Sequence, residues 1–223
     1  MTDLAILVPS RGRPGNVARL AGACARTCRT RYVLHFGIDD DDPGLGGYDF
    51  GLAAATTGPR TGLVGWTNRL AAAHMDVPYL ASLGDDMVPV TDGWDERLVT
   101  QVEHMGGGFA YPEDHRRNDI PEAVVVSTPV VAALGWFMYP ELHHWYPDNI
   151  WADLGRGAGC LAYLPDVLVE HRHPNVDPAT PADATYHEAA GRFDADAAAY
   201  RRWRLRHMTR DTATVRAATG RSC

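Results

Sequence analysis

Lysine is absent from this chain, and all 21 basic residues among its 223 are arginine. A phosphate site built from lysine ammonium groups is therefore excluded. Long apolar runs are absent as well: no segment reaches membrane-spanning length, and residues 4–8 are too few for the apolar part of a signal peptide. We therefore expect a protein with no membrane span, located in the cytoplasm.

Cysteine is scarce, with four in the chain. Cys24 and Cys28 are spaced one helical turn apart, whereas Cys160 and Cys223 stand alone. A C-x3-C pair without a second pair is weak evidence for zinc, so small buried thiols on a helix are the expected arrangement.

The length and the 45% hydrophobic content allow one well-buried domain. We predict this domain over residues 1–180, followed by a C-terminal helix and an arginine-rich tail over residues 181–223. The net charge is −7, yet residues 201–223 carry seven arginines against a single acidic residue, Asp211. The body should therefore repel polyanions, whereas the tail could attract them.

Short apolar runs alternate with segments of helical periodicity along the chain. Strands are predicted at residues 4–9, 32–38, 78–83, 123–127 and 161–173. Helices are predicted at residues 14–27, 66–75, 148–154 and 181–208, with fraying beyond the last. Loops rich in glycine or charge are predicted at residues 43–62 and 105–122. This alternation predicts an α/β fold, a single domain with a mainly parallel central sheet flanked by helices.

Polar segments directly follow three of the predicted strands, at residues 10–13, 39–42 and 85–86. Ligands of open α/β sheets bind beyond the carboxyl ends of the strands, so we expect these segments to lie together. The pair Asp85 and Asp86 offers ligands for a divalent cation. By itself, such a pair more often belongs to a solvated turn or a helix cap.

Two histidines offer the partner that the acidic pair needs. In an extended strand, His171 and His173 project to the same face. An imidazole nitrogen beside Asp86 would complete a metal site and favour Mn²⁺ over Mg²⁺. At least one of the two histidines is expected to be structural, hydrogen-bonded beneath the site.

The order of these motifs resembles the family 2 type of GT-A glycosyltransferase, up to about His173. The segments that carry the resemblance are ILVPSRGR at residues 6–13, IDD at 38–40, WTNR at 66–69, LGDD at 83–86 and DNIWADL at 148–154. The resemblance implies a Rossmann-like GT-A fold, a nucleotide-diphospho-sugar donor such as a UDP-sugar, and Mn²⁺ or Mg²⁺ as cofactor. The cation would offset the charge left on the diphosphate when the bond to the sugar breaks.

The resemblance also implies roles for single residues. The residues that would face the nucleotide are Pro9, Ser10, Arg11, Arg13, Asp39, Asp40, Trp66, Asn68 and Asp85. Asp39 matches the acidic residue that hydrogen-bonds the base, and Asp86 matches the last aspartate of the D-x-D motif, which contacts the metal. His171 or His173 matches the late histidine that approaches the metal or the diphosphate in some members.

For the chemical step, the resemblance implies a catalytic carboxylate at Asp148, with Asp153 as the second candidate. Such a group removes the proton of the acceptor hydroxyl as the new bond forms, and inversion at the anomeric carbon follows. Gly84 departs from the family pattern because it replaces the first aspartate of D-x-D, unless Asp85 takes over its contact. The Q-x-x-R-W motif of processive synthases is also incomplete, with Ala199 at the glutamine position, so processive synthesis is not expected.

Three other functions fit parts of the pattern. A sugar nucleotidyltransferase of the same fold depends on lysines that this chain lacks. A metal-dependent hydrolase could be built from His143, His144, His171 and His173, but it would leave the strand-end aspartates without a role. A catalytically silent sugar-nucleotide or DNA-binding module is the third, because Gly84 replaces a ligand.

The acceptor depends on the source of the chain. Exclusive use of arginine suggests a high-GC genome, such as that of an actinobacterium or its phage, and small lysine-free transferases of this type occur in such phages. A hydroxylated base in phage DNA would then be the acceptor, in the host cytoplasm, with residues 200–207 contacting the DNA. A glycan, a protein or a small molecule is equally open otherwise. The plain alternative for residues 200–207 is an amphipathic helix that packs Trp203 and Leu205 on the body while its arginines meet the acidic surface. No oligomeric state follows from the sequence.

Overall fold

A computed structural model describes residues 3–174 and 182–221. Within these ranges the strands are β1 (Leu4–Ser10), β2 (Tyr32–Asp39), β3 (Ala54–Gly58), β4 (Tyr79–Ser82), β5 (Met87–Pro89), β6 (Phe109–Glu113), β7 (Val124–Ser127) and β8 (Leu161–His171). The α-helices are α1 (Pro14–Thr27), α2 (Gly62–Ala72), α3 (Trp94–His104), α4 (Thr128–Leu134), α5 (Pro147–Ala158), α6 (Ala184–Ala190), α7 (Phe193–Arg206) and α8 (Met208–Ala218). The predicted α/β class is confirmed.

The strands form one sheet in the order β3-β2-β1-β4-β7-β6-β8-β5. β1 pairs in parallel with β2 and β4, and β3 pairs in parallel with β2. β7 runs antiparallel between β4 and β6, and the short β5 runs antiparallel to β8, whereas β6 and β8 are parallel. The carboxyl ends of β1, β2, β4, β6 and β8 therefore lie at one edge, as the predicted, mainly parallel sheet requires.

β1 shows how the sheet separates two apolar cores. Its side chains alternate between the two faces, and residues 4–8 are fully buried. Leu4, Ile6 and Val8 pack in a cluster with α1 and α3, whereas Ala5 and Leu7 pack in a cluster with α2 and α5. Burial on both faces is what a continuous apolar run predicts, and it places helices on both sides of the carboxyl edge.

Both segments predicted as loops contain a strand, since β3 lies within residues 43–62 and β6 within residues 105–122. The glycines before β6 suggest a loop, but their left-handed φ angles turn the chain from α3 into the strand. A Cβ atom on Gly108 would lie 2.4 Å from the carbonyl oxygen of Cys160. Glycine at this position therefore permits the close approach of β6 to the start of β8. β5, α3 and α4 are absent from the sequence prediction.

The single helix predicted at residues 181–208 is wrong. Pro181 lies outside the described residues, and the remainder forms α6 and α7, which are separated at Gly191. The chain beyond residue 208, predicted to fray, forms α8 instead. Trp203 of α7 is fully buried, and its indole N–H donates a 2.9 Å hydrogen bond to Asp211 of α8, so the two helices are held together inside an apolar contact.

Several smaller predictions concern other parts of the chain. Cys24, Cys28 and Cys160 are buried free thiols, as expected, whereas Cys223 lies outside the described residues. None of the described helices is long and apolar enough to cross a membrane. The domain boundary predicted at residue 180 also falls outside the described residues.

Candidate functional site

Side chains that follow β1 and β4 meet at the carboxyl edge of the sheet. The Ser10 hydroxyl donates a 2.5 Å hydrogen bond to Asp85 Oδ2. The Arg13 guanidinium donates to Asp85 Oδ1 at 3.0 Å and lies 3.9 Å from Asp86 Oδ2. Burial and the charge of Asp86 raise the pKa of Asp85 to about 6, although Arg13 opposes the shift. The structure therefore joins two segments that the sequence predicts to share a site.

Gly84 lies directly against the Asp86 carboxylate. A Cβ atom at this position would lie 2.5 Å from Asp86 Oδ1, so a side chain here would require that carboxylate to move. The first aspartate of a D-x-D motif is therefore incompatible with the present orientation of the Asp86 carboxylate. Asp85 is left as the second carboxylate of the pair.

Asp86 lies between two hydrogen-bond donors. Its Oδ2 accepts a 2.7 Å hydrogen bond from the Tyr186 hydroxyl, and its Oδ1 lies 3.4 Å from His171 Nε2. Burial acts to raise the pKa of Asp86, but His171, Tyr186 and Arg13 outweigh it and hold the pKa below its ordinary value. Asp86 is therefore an anion in the folded protein.

His171, at the end of β8, bridges Asp86 and Glu122. Its Nδ1 lies 2.7 Å from Glu122 Oε2. Burial acts to lower the pKa of the imidazole, but the two carboxylates outweigh it and raise the pKa to about 9. The imidazolium that results neutralises part of the carboxylate charge around it.

Asp114 completes this group of side chains. One ligand atom from each of Asp114, Glu122 and His171 lies within 4.8 Å of the other two. The main chain ties them together, because His171 N–H donates to the Asp114 carbonyl at 3.2 Å and Arg172 N–H donates to the Asp86 carbonyl at 2.9 Å. Asp86, Asp114, Glu122 and His171 form what we name the acidic cluster.

Asp114, Glu122 and His171 are close enough to share a divalent cation, and Asp86 lies beside them, against the other ring nitrogen of His171. Carboxylate oxygens are ligands that Mg²⁺ and Mn²⁺ take, and the imidazole nitrogen favours Mn²⁺. A dication would also neutralise the carboxylate charge that the His171 imidazolium partly neutralises. Sequence reasoning missed Asp114 and Glu122 because both lie in the segment predicted as a loop. The available signal was the density of acidic residues just before the strand β7.

His173, the second predicted metal ligand, lies beside the acidic cluster. Its ring centroid is 5.4 Å from that of His171 and 4.8 Å from that of Tyr186. Burial, together with the positive charges of Arg116 and His171, lowers the pKa of His173 to about 4. His173 is therefore neutral, the form in which an imidazole can bind a metal.

Three of the residues predicted to face the nucleotide form a second network, at the end of β2. Trp66 Nε1 donates a 2.6 Å hydrogen bond to Asp39 Oδ1, and Arg11 donates a 2.9 Å hydrogen bond to Asp39 Oδ2. A Cβ atom on Gly37 would lie 2.6 Å from the Trp66 ring, so glycine permits this packing. Asp39, Arg11 and Trp66 form the Asp39 network, and the exposed Asp40 follows it directly.

Asn68, also predicted to face the nucleotide, makes three hydrogen bonds to the main chain. Its Nδ2 donates to the Met138 carbonyl at 2.7 Å, and its Oδ1 accepts from the N–H groups of Phe137 and Met138 at 2.9 Å. The main chain thus uses three of the four hydrogen-bonding positions of this amide. These contacts fasten residues 137–138 to α2. Pro9 pairs with Gly37 within the sheet, next to the Asp39 network.

The two candidate catalytic carboxylates have different surroundings, although both lie on α5. Asp148 is in the first turn of α5, and burial and the charge of Glu122 raise its pKa to about 6. Asp153 instead accepts a 2.8 Å hydrogen bond from the Tyr200 hydroxyl and lies 3.3 Å from Arg204 Nε. Asp148 is therefore in the electrostatic field of the acidic cluster, whereas Asp153 joins α5 to α7.

The histidines of the hydrolase alternative do not form one centre. The main-chain N–H groups of His143 and His144 donate to the buried Asp196 at 3.0 and 2.8 Å, which holds their loop. Among the described residues, the group close enough to share a metal ion contains neither of them. This arrangement disfavours a hydrolase built on four histidines.

No protein-family model matches the chain, and no curated protein matches its sequence. Solved structures similar to it include TarS 1-349 from S. aureus in complex with UDP-GlcNAc, with a TM-score of 0.61 and 8% identity over 84% of this chain and 64% of that one. The mannosyltransferase PcManGT from Pyrobaculum calidifontis, in complex with GDP-Man and Mn²⁺, has a TM-score of 0.60 and 11% identity over 96% of this chain and 73% of that one.

A third similar structure is the catalytic domain of Drosophila β1,4-galactosyltransferase 7, with a TM-score of 0.56 and 12% identity over 86% of this chain and 81% of that one. The chain spans less than two thirds of the TarS chains, and 37% of the longer one. Identities this low show the fold alone. The chain therefore shares the α/β fold of these solved glycosyltransferase structures.

Proposed function

We propose that this protein is a metal-dependent glycosyltransferase that moves a sugar from a nucleotide-diphosphate donor, a UDP-sugar, to an acceptor hydroxyl with inversion. The observation that carries the proposal is the acidic cluster at the carboxyl edge of the sheet. In the order of the strands, this edge presents the Asp39 network, then Arg13, then the acidic cluster. A base, a diphosphate and a dication need these groups in the same order.

On the nucleotide side, Asp39 would accept a hydrogen bond from the base. Trp66 and Arg11 hold its carboxylate in one orientation, so little freedom is lost when the base binds. Arg13 would bind the diphosphate, because a guanidinium offers paired N–H donors to phosphate oxygens. The UDP-GlcNAc and GDP-Man complexes of the similar structures support this class of donor.

The acidic cluster would hold Mn²⁺ or Mg²⁺, with His173 as a further neutral ligand. When bound, the dication would offset the negative charge that develops on the diphosphate leaving group. His171 would release a proton from the nitrogen that meets the cation, because only a neutral imidazole nitrogen can be a ligand. Asp85, held by Ser10 and Arg13, would keep the neighbouring Asp86 in place.

Asp148 would accept the proton of the acceptor hydroxyl. A base works best when its pKa is close to the working pH, and burial brings the pKa of Asp148 to about 6. Attack from the face opposite the leaving diphosphate, with no covalent enzyme intermediate, inverts the anomeric carbon. The surroundings of Asp153 give it a structural task instead.

The donor class is testable by thermal shift with a panel of nucleoside diphosphates, each with and without Mn²⁺. One of them, UDP on our proposal, should raise the melting temperature by about 5 °C or more at ~100-fold excess over its Kd, and Mn²⁺ should increase the shift. If none of the diphosphates stabilises the protein with Mn²⁺ present, the proposal is wrong. Stabilisation by UDP-GlcNAc without any release of UDP would favour the catalytically silent alternative.

For the acceptor, we propose a hydroxylated base in phage DNA, with the arginines of α7 as the DNA contact. Trp203 is buried and cannot stack on a base. Trp203 packs on the body, and Arg202 and Arg204 pair with Glu141 and Asp153, as the amphipathic alternative expects, whereas Leu205 is exposed. Arg201 and Arg206 are exposed and pair with no carboxylate in residues 3–174 and 182–221, so they are left to meet phosphates.

The double variant Arg201→Gln/Arg206→Gln tests this acceptor. It should weaken binding to duplex DNA about 10-fold at low salt and reduce the salt dependence, because each lost phosphate contact removes a released counterion. Transfer to a small soluble acceptor should not change. Arg19→Gln and Arg31→Gln, on the α1 side of the sheet, provide a control with equal loss of charge. DNA glycosylation that survives in the α7 variant would exclude this contact and favour a glycan, protein or small-molecule acceptor.

A further inference from the structure

Helix α6 begins with a carboxylate that is bound to Arg13. Asp183 caps the helix by accepting hydrogen bonds from the N–H groups of Thr185 and Tyr186. The same carboxylate accepts two hydrogen bonds from Arg13, at 2.6 Å from Nε and 2.8 Å from Nη2. Guanidinium groups bind phosphate in this same paired geometry.

Arg13 has no second outward edge to offer. Its Nη1 donates to Asp85, which is buried, and the other edge, formed by Nε and Nη2, is held by Asp183. Asp183 itself is 40% exposed at the side chain, whereas Arg13 is 10% exposed. A ligand that approaches Arg13 from solvent therefore meets the Asp183 carboxylate first.

Tyr186, three residues further along, contacts both sides of the proposed donor site. Its hydroxyl donates to Asp86 Oδ2 at 2.7 Å, and the Arg13 guanidinium carbon lies 4.0 Å from the centre of its ring. One side chain of α6 thus covers a carboxylate of the acidic cluster and the arginine beside it.

Two more contacts join α6 to residues further along the carboxyl edge of the sheet. The Thr185 hydroxyl donates to the Arg11 carbonyl at 3.2 Å, and Glu188 pairs with Arg60. Arg60 in turn lies 3.8 Å from Asp39. The contacts of α6 therefore extend from the acidic cluster to the Asp39 network, the full length over which a nucleotide diphosphate would lie.

We propose that α6 is an internal competitor of the donor, with the Asp183 carboxylate in the place of a donor phosphate on Arg13. A diphosphate binds Arg13 only after α6 has left it, and Asp86 then also loses its hydrogen bond from Tyr186. The apparent affinity for the donor is the intrinsic affinity reduced by the fraction of molecules in which α6 is displaced. This inference rests on the proposed function and adds its regulation.

The variant Asp183→Asn tests whether Asp183 competes with a phosphate for Arg13 or holds Arg13 in place for it. Asparagine is as good an N-cap as aspartate, so α6 keeps its start, but the charge that pairs with Arg13 is gone. Titration calorimetry with inorganic pyrophosphate and with UDP, both without metal, should show binding about 10-fold tighter than in the wild type. Asp166→Asn, which removes a carboxylate from an exposed pair with Arg97, is the matched control and should bind like the wild type.

Unchanged or weaker binding in Asp183→Asn overturns the inference, because it means that Asp183 holds Arg13 in place for the ligand. If neither protein binds either probe without metal while UDP with Mn²⁺ still stabilises the wild type, the inference is wrong and the proposed function stands. If UDP with Mn²⁺ also has no effect, the proposed function fails. Hydrogen exchange in the wild type provides a second test that needs no variant. UDP should accelerate exchange of the amides of residues 184–190, and slower exchange there would show that α6 closes over the ligand and does not compete with it.

Discussion

Asp86→Asn is expected to remove the Mn²⁺-dependent part of the stabilisation by a nucleoside diphosphate and to lower sugar transfer at least about 100-fold. Asparagine preserves the size of the side chain but not its charge, and a neutral amide is a weak ligand for a dication. Thermal shift with and without Mn²⁺ measures the first effect, and release of UDP from the sugar donor measures the second.

Asp86→Asn also removes a buried negative charge that lies beside His171 in the folded protein. His171 would retain one of its two carboxylate partners, and breaking a buried ion pair costs about 3–5 kcal/mol. Far-ultraviolet circular dichroism must therefore show that the variant is folded at the assay temperature. Asp92→Asn, which removes an exposed partner of Arg29, is the control for loss of a carboxylate elsewhere. A folded Asp86→Asn protein that keeps its full response to Mn²⁺ would place the metal site elsewhere.

Asp148→Asn is expected to lower transfer about 1,000-fold while leaving nucleotide binding unchanged, because a general base contributes to the chemical step and not to donor affinity. In the wild type the rate should rise with pH through about 6 as Asp148 ionises. Asp148→Asn should lose this rise. Steady-state rates between pH 4.5 and 8, with UDP binding measured in parallel, test both expectations.

The same substitution should make the protein more stable at neutral pH. The pKa of Asp148 is raised from 3.8 to about 6, so the folded state binds more protons than the unfolded state between these two values. Stability that depends on Asp148 is therefore lost as pH rises through this window. At pH 7, Asp148→Asn should be more stable than the wild type by about 3 kcal/mol, and the gain should disappear below about pH 4.

Asp153→Asn, on the same helix, distinguishes the two candidate bases. It removes the charge that pairs with Arg204 and weakens the hydrogen bond that the Tyr200 hydroxyl donates, so it should destabilise the protein by about 1 kcal/mol. Transfer should persist in the folded variant. Loss of transfer in Asp153→Asn and its survival in Asp148→Asn would reverse the assignment.

Much of the fold could be predicted because its signals are local. The apolar run of β1 and the helical spacing of α1 depend on neighbours a few residues away, and both elements form where the sequence places them. β6 was hidden by Gly106, Gly107 and Gly108, whose composition is typical of a loop. Their left-handed backbone and the close packing on Cys160 appear only when β6 lies against β8.

The residues of the candidate site also fall into two groups, those that local sequence signals indicate and those that only distant contacts explain. Ser10, Asp39, Asp85 and Asp86 could be grouped from the sequence, since each follows an apolar strand of a parallel sheet. The contacts of Asn68 could not be foreseen from the sequence, because its amide binds residues 137–138, far away along the chain. Gly84 looks like a defect in a motif until the Asp86 carboxylate is seen to fill its space.

The sequence by itself determined the α/β class, the edge of the sheet at which polar residues collect, and the acidic pair there. The tertiary structure alone decided that Asp114 and Glu122 join His171 in one cluster, and that Asp183 binds Arg13. Hydrophobic periodicity acts over a few residues and leaves a readable pattern. Contacts between side chains 49 and 170 residues apart form only after the sheet has brought their strands together, so no local pattern records them.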